Sequence, residues 1–159
     1  MIYKFDDRGN LSPYQLILVN ELSKFEQFFV NNFPFSTTRN VIYSGLLLYL
    51  SDFGNTLRQL KYPGLWKVWL NGSFTTNKII PADIDIVNVL ADDTALRSNK
   101  YSFEPFFARN ARKTYGVDAY FLLVNESNQA KELLTYWQNW LGTDRFGFSK
   151  GIVELTINL

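Results

Sequence analysis

The sequence contains no cysteine and no histidine. The absence of cysteine excludes disulfide bonds and thiolate metal sites, and the absence of histidine excludes a histidine general base and histidine-ligated zinc. Cations bound through oxygen atoms remain, and Mg²⁺ or Mn²⁺ suits aspartate side chains best. Any metal site in this chain would therefore depend on carboxylates.

The sequence also lacks a strong net charge and a long apolar run. Its 16 Lys and Arg residues nearly balance its 15 Asp and Glu residues, so the formal net charge is +1 and no overall field attracts a polyanion. The densest apolar stretch, residues 45–50, is far shorter than the roughly 20 residues of a membrane helix. Residues 1–8 carry acids where a signal peptide would have its apolar core. We therefore expect a cytoplasmic protein without a membrane segment, in which any contact with nucleic acid is local.

Aromatic residues are abundant. Apolar residues make up 47% of the chain, which has 14 Phe, 9 Tyr and 4 Trp. At 159 residues this composition predicts one globular domain, 1–159, that buries about two thirds of its unfolded surface. The aromatic excess also predicts some exposed apolar surface and, with it, association into a homo-oligomer.

The N-terminal part, residues 1–62, has a helical pattern. Apolar residues at three- and four-residue steps predict a helix over 13–31, opened by Ser12-Pro13, and a second helix over 39–60. Phe33-Pro34 separates the two helices. Arg39, at the start of the second helix, is expected on the surface, with a phosphate contact as the alternative.

Residues 65–159 form the sheet-containing part. Apolar runs predict strands over 65–70, 84–90, 117–125 and 152–157, with a helix over 129–141 and interrupted helical structure over 94–115. Asp92 and Asp93 are expected to cap that helical segment. The order of elements predicts an α/β or α+β domain in which helices flank a mixed β-sheet.

Two neighbouring strands carry the strongest functional pattern. An apolar run ends at Gly72-Ser73, and the next apolar run carries Asp83 and Asp85 at alternate positions. Because side chains alternate along a strand, both carboxylates lie on one face, with Cβ atoms roughly 6 to 7 Å apart. Two aspartates in one strand require a counter-charge, which a divalent cation would supply.

The Gly-Ser turn predicts a phosphate site beside the carboxylates. Gly72 has no Cβ to keep a phosphate from the backbone, and the Ser73 hydroxyl with nearby N–H groups favours an anion. The alternative is a simple pair of strands, in which Gly72 is a turn residue and the aspartates face solvent. We favour the combined nucleotide and metal site because both features occur together.

These residues resemble the signature of the DNA polymerase beta-like nucleotidyltransferase superfamily. The similarity covers residues 65–125: Gly72-Ser73, nine intervening residues, then Asp83-x-Asp85 in an apolar strand. That family has a third carboxylate on a later strand, and Asp118 matches its position. In length and spacing the chain is most similar to the short bacterial members found in toxin-antitoxin and phage-defence loci. Minimal enzymes of that group often have Arg after the Gly-Ser pair, where this chain has Phe74.

The resemblance implies a metal-dependent transferase with a nucleotidyltransferase-like fold. Asp83, Asp85 and Asp118 would be its catalytic and metal-binding residues, with Mg²⁺ or Mn²⁺ as cofactor. It would transfer a nucleoside monophosphate from a nucleoside triphosphate to a hydroxyl of RNA, such as tRNA, or of a protein. As a toxin or defence component, it would have a cognate antitoxin as a partner.

Several cations are candidates to hold the triphosphate. Such chemistry needs positive charge beyond the metal ion, and Lys78, Arg145 and Lys150 lie in loops where they could supply it. Their alternative role is to solubilise those loops. Together with Gly72 and Ser73 they form the predicted nucleotide-binding set. Arg109, Arg112 and Lys113 share one helical turn, which would either steer an anionic substrate or form a solvated face.

A second class of function stays open. The chain is too short for the additional substrate-binding domain of polymerase-like enzymes, so the same fold could serve as a catalytically silent nucleotide-binding or protein-interaction module. The three carboxylates favour the enzyme, because binding alone does not require the full charge cluster.

Overall fold

The computed structural model describes residues 3–159 and is a mixed α/β structure. Its strands are β1 (Lys4–Phe5), β2 (Leu11–Ser12), β3 (Leu16–Leu18), β4 (Trp66–Asn71), β5 (Ile84–Ala91), β6 (Val117–Val124) and β7 (Ile152–Ile157). Its α-helices are α1 (Leu22–Glu26), α2 (Arg39–Gln59), α3 (Thr94–Ser98), α4 (Ala108–Tyr115) and α5 (Asn128–Leu141). A π-helical segment, Gln27–Asn31, continues α1, and 3₁₀ turns lie at Ser73–Thr75 and Lys100–Phe106.

A five-stranded sheet forms the centre of the molecule. Its order is β3-β7-β4-β5-β6, in which β4 is antiparallel to both neighbours while β5 and β6 are parallel, as are β3 and β7. The predicted mixed sheet flanked by helices is therefore confirmed. The C-terminal end of β4 and the N-terminal ends of β5, β6 and β7 lie at the same edge, because β4 runs opposite to β5 and β7.

Each face of the sheet packs against helices. The larger buried cluster joins the face bearing Val68, Ile86 and Ala119 to α2, α4 and the α1 region. The smaller cluster joins the other face, which bears Trp69, Val87 and Leu122, to α5. Because side chains alternate along a strand, the carboxylates of Asp85 and Asp118 lie on this second face. These two predicted site residues therefore lie on the α5 side of the sheet, where the buried cluster is smaller.

The prediction of a continuous helix over 13–31 is wrong at its start. Leu16–Leu18 forms β3, which pairs with β7 from Leu16↔Ile152 to Leu18↔Glu154, and the helix begins only at Leu22. The apolar steps that suggested a helix also fit a short strand, and pairing with β7 satisfies the backbone there. The N-terminal part is thus not purely helical, because it contributes an edge strand to the sheet.

The remaining boundaries agree closely with the sequence predictions. Gly116 ends α4 in the left-handed conformation, with φ 71° and ψ 21°. Asp93 caps α3 by accepting a hydrogen bond from the Ala95 amide at 2.7 Å. Asp92 is not a cap, because it binds the Arg97 guanidinium instead.

Across residues 3–159, no helix combines the length and the apolar character that would let it cross a membrane.

Candidate functional site

The Gly-Ser turn directly follows β4. Gly72 has φ 82° and ψ −165°, a conformation that favours glycine, and its amide donates to the Asn71 side-chain oxygen at 2.7 Å. A Cβ at this position would lie 2.8 Å from Oδ2 of Asp85. The glycine is therefore required by the close approach of the next strand's carboxylate to the turn.

The three predicted carboxylates come together at this edge. Asp85 and Asp118 are cross-strand neighbours in the parallel β5–β6 register. Asp83 immediately precedes β5, and one guanidinium nitrogen of Arg112 contacts both Asp83, at 2.5 Å, and Asp118, at 3.2 Å. The structure therefore brings Asp83, Asp85 and Asp118 into one cluster, of which strand alternation predicted the pair Asp83 and Asp85 and the family resemblance implied Asp118. Their chemical role stays a prediction.

The cluster carries more negative charge than its cations neutralise. Burial, followed by repulsion from Asp83 and Asp118, raises the pKa of Asp85 to about 6, although Lys150 and Arg112 act in the opposite direction. Burial disfavours the ionised carboxylate whatever lies nearby, and only the repulsion from Asp83 and Asp118 is an effect that an added cation would relieve.

Asp85→Asn is expected to stabilise the metal-free protein at neutral pH. The pKa of Asp85 is raised on folding, so ionisation opposes the folded state: its contribution is fully favourable below about pH 4 and is lost as pH rises through about 6. Thermal or urea unfolding in chelator should show a gain of roughly 1 to 3 kcal/mol at pH 7.5 and little change at pH 4. A variant less stable than wild type at pH 7.5 would contradict this electrostatic account.

Lys150 lies directly behind the Gly-Ser turn. The side chain is buried, and its ammonium donates to the Gly72 carbonyl at 2.6 Å. Burial lowers the pKa of Lys150 to about 8, an effect that attraction to Asp85 and Asp144 partly offsets. Lys150 thus supports the turn through its carbonyl, while an ammonium group has three donors and can bind more than one oxygen.

A cleft of about 1100 Å³ opens beside the turn and the carboxylates. Every residue of the predicted nucleotide-binding set lines it, together with two of the three carboxylates: Gly72, Ser73, Lys78, Arg145, Lys150, Asp83 and Asp85. Asp118 does not line this cleft and lies next to Arg112 instead. The cleft is large enough for a nucleotide.

Arg112 has a role that the sequence did not reveal. The predicted alternatives for its helical turn were substrate steering and a solvated face, whereas the side chain bridges two members of the carboxylate cluster. Within residues 3–159, no three acidic side chains are already arranged to hold a metal ion. The Arg112 guanidinium engages one oxygen of Asp83 and one oxygen of Asp118.

The position of Arg39 differs from the one that the sequence predicted. It was expected on the surface, but its side chain is fully buried and donates to four backbone carbonyls. Those acceptors are Phe29, at 2.6 Å, Phe74, at 2.8 Å, and Thr76 and Lys78, at 2.7 Å each. The guanidinium also lies 3.7 Å from the centroid of the Phe33 ring.

The Arg39 bonds fix the course of the chain after the Gly-Ser turn. Three of the four carbonyls belong to residues 74–78, the segment between Ser73 and the loop that carries Lys78. Burial lowers the pKa of Arg39 to about 10, which leaves it protonated at neutral pH. Carbonyl dipoles and aromatic faces therefore hold this cation in place of a carboxylate.

Comparisons with known proteins identify a family for this chain but indicate no activity. No curated protein and no solved structure matches the chain. The match that exists is to the model of a family described as "Family of unknown function (DUF6932)", over residues 3–156. Because this match covers nearly the whole chain, the protein belongs to that family.

Proposed function

We propose that this protein is a metal-dependent nucleotidyltransferase, which transfers a nucleoside monophosphate from a nucleoside triphosphate to a hydroxyl of an RNA or protein acceptor. The observation that carries the proposal is the meeting of Asp83, Asp85 and Asp118 beside Gly72 and Ser73 at one sheet edge. A Gly-Ser turn beside a cluster of carboxylates supports a ligand that carries both phosphate groups and a metal ion.

The cleft provides contacts for the triphosphate. Ser73 offers a hydroxyl. The predicted approach of a phosphate to the Gly72 backbone is not supported, because the Asp85 carboxylate fills the space beside Gly72 and the Gly72 amide donates to Asn71. Lys78 and Arg145 are exposed cations on the same cleft, and they would bind phosphate oxygens that the turn does not reach. Lys150 would keep the turn in place from behind.

The residues at the cluster fit Mg²⁺ or Mn²⁺. The available donors are carboxylate oxygens, the ligands that these cations prefer, and a cation would relieve the repulsion that Asp83 and Asp118 exert on Asp85. Asp83 and Asp85, with Asp118, would hold the cation once the Arg112 guanidinium has moved from Asp83 and Asp118. When bound, such a cation supplies neutralisation of phosphate charge and acidification of a nearby hydroxyl.

The transfer itself is an in-line displacement. The acceptor oxygen forms a bond to the α-phosphorus, the bond from that phosphorus to the bridging oxygen of pyrophosphate breaks, and pyrophosphate leaves. Asp118 would accept the proton of the acceptor hydroxyl, because the chain has no histidine to do so.

A nucleoside triphosphate with Mg²⁺ or Mn²⁺ is expected to raise the unfolding temperature. A ligand that binds only the folded state stabilises it by about 2.7 kcal/mol when present at 100 times its dissociation constant. Differential scanning fluorimetry and calorimetric titration would measure the effect for ATP, GTP, CTP and UTP. Equally tight binding in excess chelator would exclude a site bridged by metal.

The second candidate is a catalytically silent nucleotide-binding or protein-interaction module. The Arg112 bridge favours it, because this bridge engages two of the three carboxylates within the chain itself. Incubation with labelled triphosphates, Mg²⁺ and a mixture of tRNA and protein extract separates the two functions. Transfer of label to either acceptor supports the enzyme, while nucleotide binding without transfer supports the module.

The proposal includes a biological setting. Similarity in motif spacing to short bacterial transferases supports a cytoplasmic toxin or defence component, with a cognate antitoxin or a second copy of the chain as partner. The genes beside the coding sequence test the antitoxin, and sedimentation of the purified protein tests the homo-oligomer.

A further inference from the structure

Three aromatic side chains lie exposed at the outer part of the cleft. Trp140, at the end of α5, is 50% exposed, and Phe146 and Phe148, in the loop that follows, are 77% and 43% exposed. All three line the same cleft as Asp83 and Asp85. We call Trp140, Phe146 and Phe148 the aromatic rim. Single exposed aromatic residues are ordinary, but three along one cleft indicate a binding surface.

Hydrogen bonds to the Asp144 carboxylate hold the loop that carries the two phenylalanines. One carboxylate oxygen of Asp144 accepts from the backbone amides of Phe146 and Phe148, at 2.9 Å each. The other oxygen accepts from the Asn10 side chain at 2.9 Å, which ties the loop to the N-terminal segment. The rings are therefore held out by an ordered backbone, which reduces the entropy that a ligand would lose on binding them.

Two arginines accompany the aromatic rim. The guanidinium carbon of Arg8 lies 4.0 Å from the centroid of the Phe148 ring, and both Arg8 and Arg145 line the cleft. Within residues 3–159, neither side chain forms a salt bridge. Flat aromatic faces beside cations that form no salt bridge are the combination that binds single-stranded nucleic acid, with bases on the rings and phosphates at the cations.

We propose that the aromatic rim binds single-stranded nucleic acid, with bases stacked on Trp140, Phe146 and Phe148 and phosphates at Arg8 and, when no triphosphate is bound, at Arg145. The net charge of +1 means that recognition depends on this local pairing of rings and cations. The inference rests on the proposed transferase function, for which it names the acceptor. One cleft contains both the rim and the carboxylates Asp83 and Asp85, so the proposed strand and the proposed reacting groups share one surface.

Binding can be measured without any catalytic step. A labelled single-stranded RNA of about 12 nucleotides, within the site sizes of such proteins, is titrated with the full chain in chelator and without triphosphate, and its anisotropy is followed. Phe146→Ala and Phe148→Ala are each expected to weaken binding about 5- to 150-fold, the loss of one base–aromatic stack. Arg145→Gln should reduce the slope of log affinity against log salt by about one.

The matched control is Phe35→Ala. Phe35 is 86% exposed but does not line the cleft, so its removal takes away a similar apolar side chain and should leave RNA affinity unchanged. Stacking on Trp140 should also quench tryptophan fluorescence on addition of RNA, and the quenching should diminish in Trp140→Phe. A DNA strand of the same sequence should bind through the same rim, while a duplex should bind more weakly because its bases are already stacked.

The results separate this inference from the proposed function. Absence of single-strand binding, or rim variants that bind as tightly as wild type, would overturn the inference even if the protein transfers nucleotides to a protein acceptor. Strand binding that depends on the rim, with no transfer from any triphosphate, would support the rim as a nucleic-acid site and reject the transferase.

Discussion

Arg39→Ala is expected to lower the free energy of unfolding by about 4 kcal/mol or more, among the largest effects of a single substitution in this chain. The change leaves the carbonyls of Phe29 and Phe74 without their donor in the protein interior, and it removes the partly buried bonds to the carbonyls of Thr76 and Lys78. Each hydrogen bond to a charged group contributes about 1.5 to 3 kcal/mol, and water entering the space left by the side chain would recover only part of that.

The effect of Arg39→Ala should also extend to ligand binding. Because three of the lost bonds hold residues 74–78, the Gly-Ser turn and Lys78 would lose their support on one side. Triphosphate affinity should therefore fall in any fraction that remains folded, as measured by titration at low temperature.

Two comparisons make the Arg39 experiment specific. Arg39→Lys retains the charge but not the planar group that lies over Phe33, so its stability should be intermediate. Arg58→Ala removes an exposed arginine from the same helix and should change stability by no more than about 0.5 kcal/mol. Urea unfolding provides all three values. A loss below about 1 kcal/mol for Arg39→Ala would show that the four carbonyls do not depend on it.

The contrast between Arg39 and the aspartates explains what the sequence could predict. The positions of Asp83, Asp85 and Asp118 follow from local alternation in strongly apolar strands, and the register Asp85↔Asp118 brings two of them side by side. The partners of Arg39 lie 10 to 39 residues away, in a π-helical segment, a 3₁₀ turn and the loop that follows it. No local pattern specifies such contacts, so a buried arginine looks like a surface residue in the sequence.

Arg112 and β3 were missed for related reasons. The partners of Arg112 are 6 and 29 residues away, on the two strands that meet at the site, and a helical turn rich in cations more often faces solvent. In β3 the apolar residues fit either a helix or a strand, and only the edge of β7, more than 130 residues later, decides between them. The sequence thus predicted the central strands well and failed where long-range partners decide the outcome.

For the cations of the cleft, the sequence predicted the location but not the environment of each side chain. The proposal that triphosphate chemistry needs positive charge selected Lys78, Arg145 and Lys150 from loops, and all three line the cleft. Their local environments differ in ways that the sequence did not indicate, since Lys150 is buried against the Gly72 carbonyl while Lys78 and Arg145 are exposed. The three cations, which were predicted to share one role, are therefore proposed to have two: Lys150 supports the turn, and Lys78 and Arg145 contact the ligand.

Asp118→Ala is expected to reduce nucleotide transfer by about 10² to 10⁴, the usual contribution of a positioned general base. Asp118 is the neighbour of Asp85 across the parallel strands, and it does not line the cleft in which the triphosphate would lie. Triphosphate affinity should therefore fall much less than the transfer rate. In kinetic terms, kcat should drop while KM for the triphosphate stays within a few-fold of its wild-type value.

Arg112 makes the Asp118 experiment more informative. Removing Asp118 leaves the Arg112 guanidinium with Asp83 as its remaining carboxylate partner. The double variant Asp118→Ala, Arg112→Gln therefore tests whether a stronger ion pair between Arg112 and Asp83 lowers triphosphate binding further. Partial recovery of triphosphate binding in the double variant would show that Arg112 competes for the cluster. The control is Glu132→Ala, which removes an equal charge from the exposed face of α5 and should retain wild-type transfer.

The outcome for Asp118 decides between the two proposed functions. If Asp118→Ala transfers nucleotide at the wild-type rate, Asp118 is only a partner for Arg112, and another group must accept the proton. If both the wild type and Glu132→Ala bind triphosphate but transfer none, the two carboxylates of the cleft form a binding site without turnover. A selective loss of kcat in Asp118→Ala would instead support catalysis, because a residue that only stabilises the Arg112 bridge has no reason to affect the rate more than the affinity.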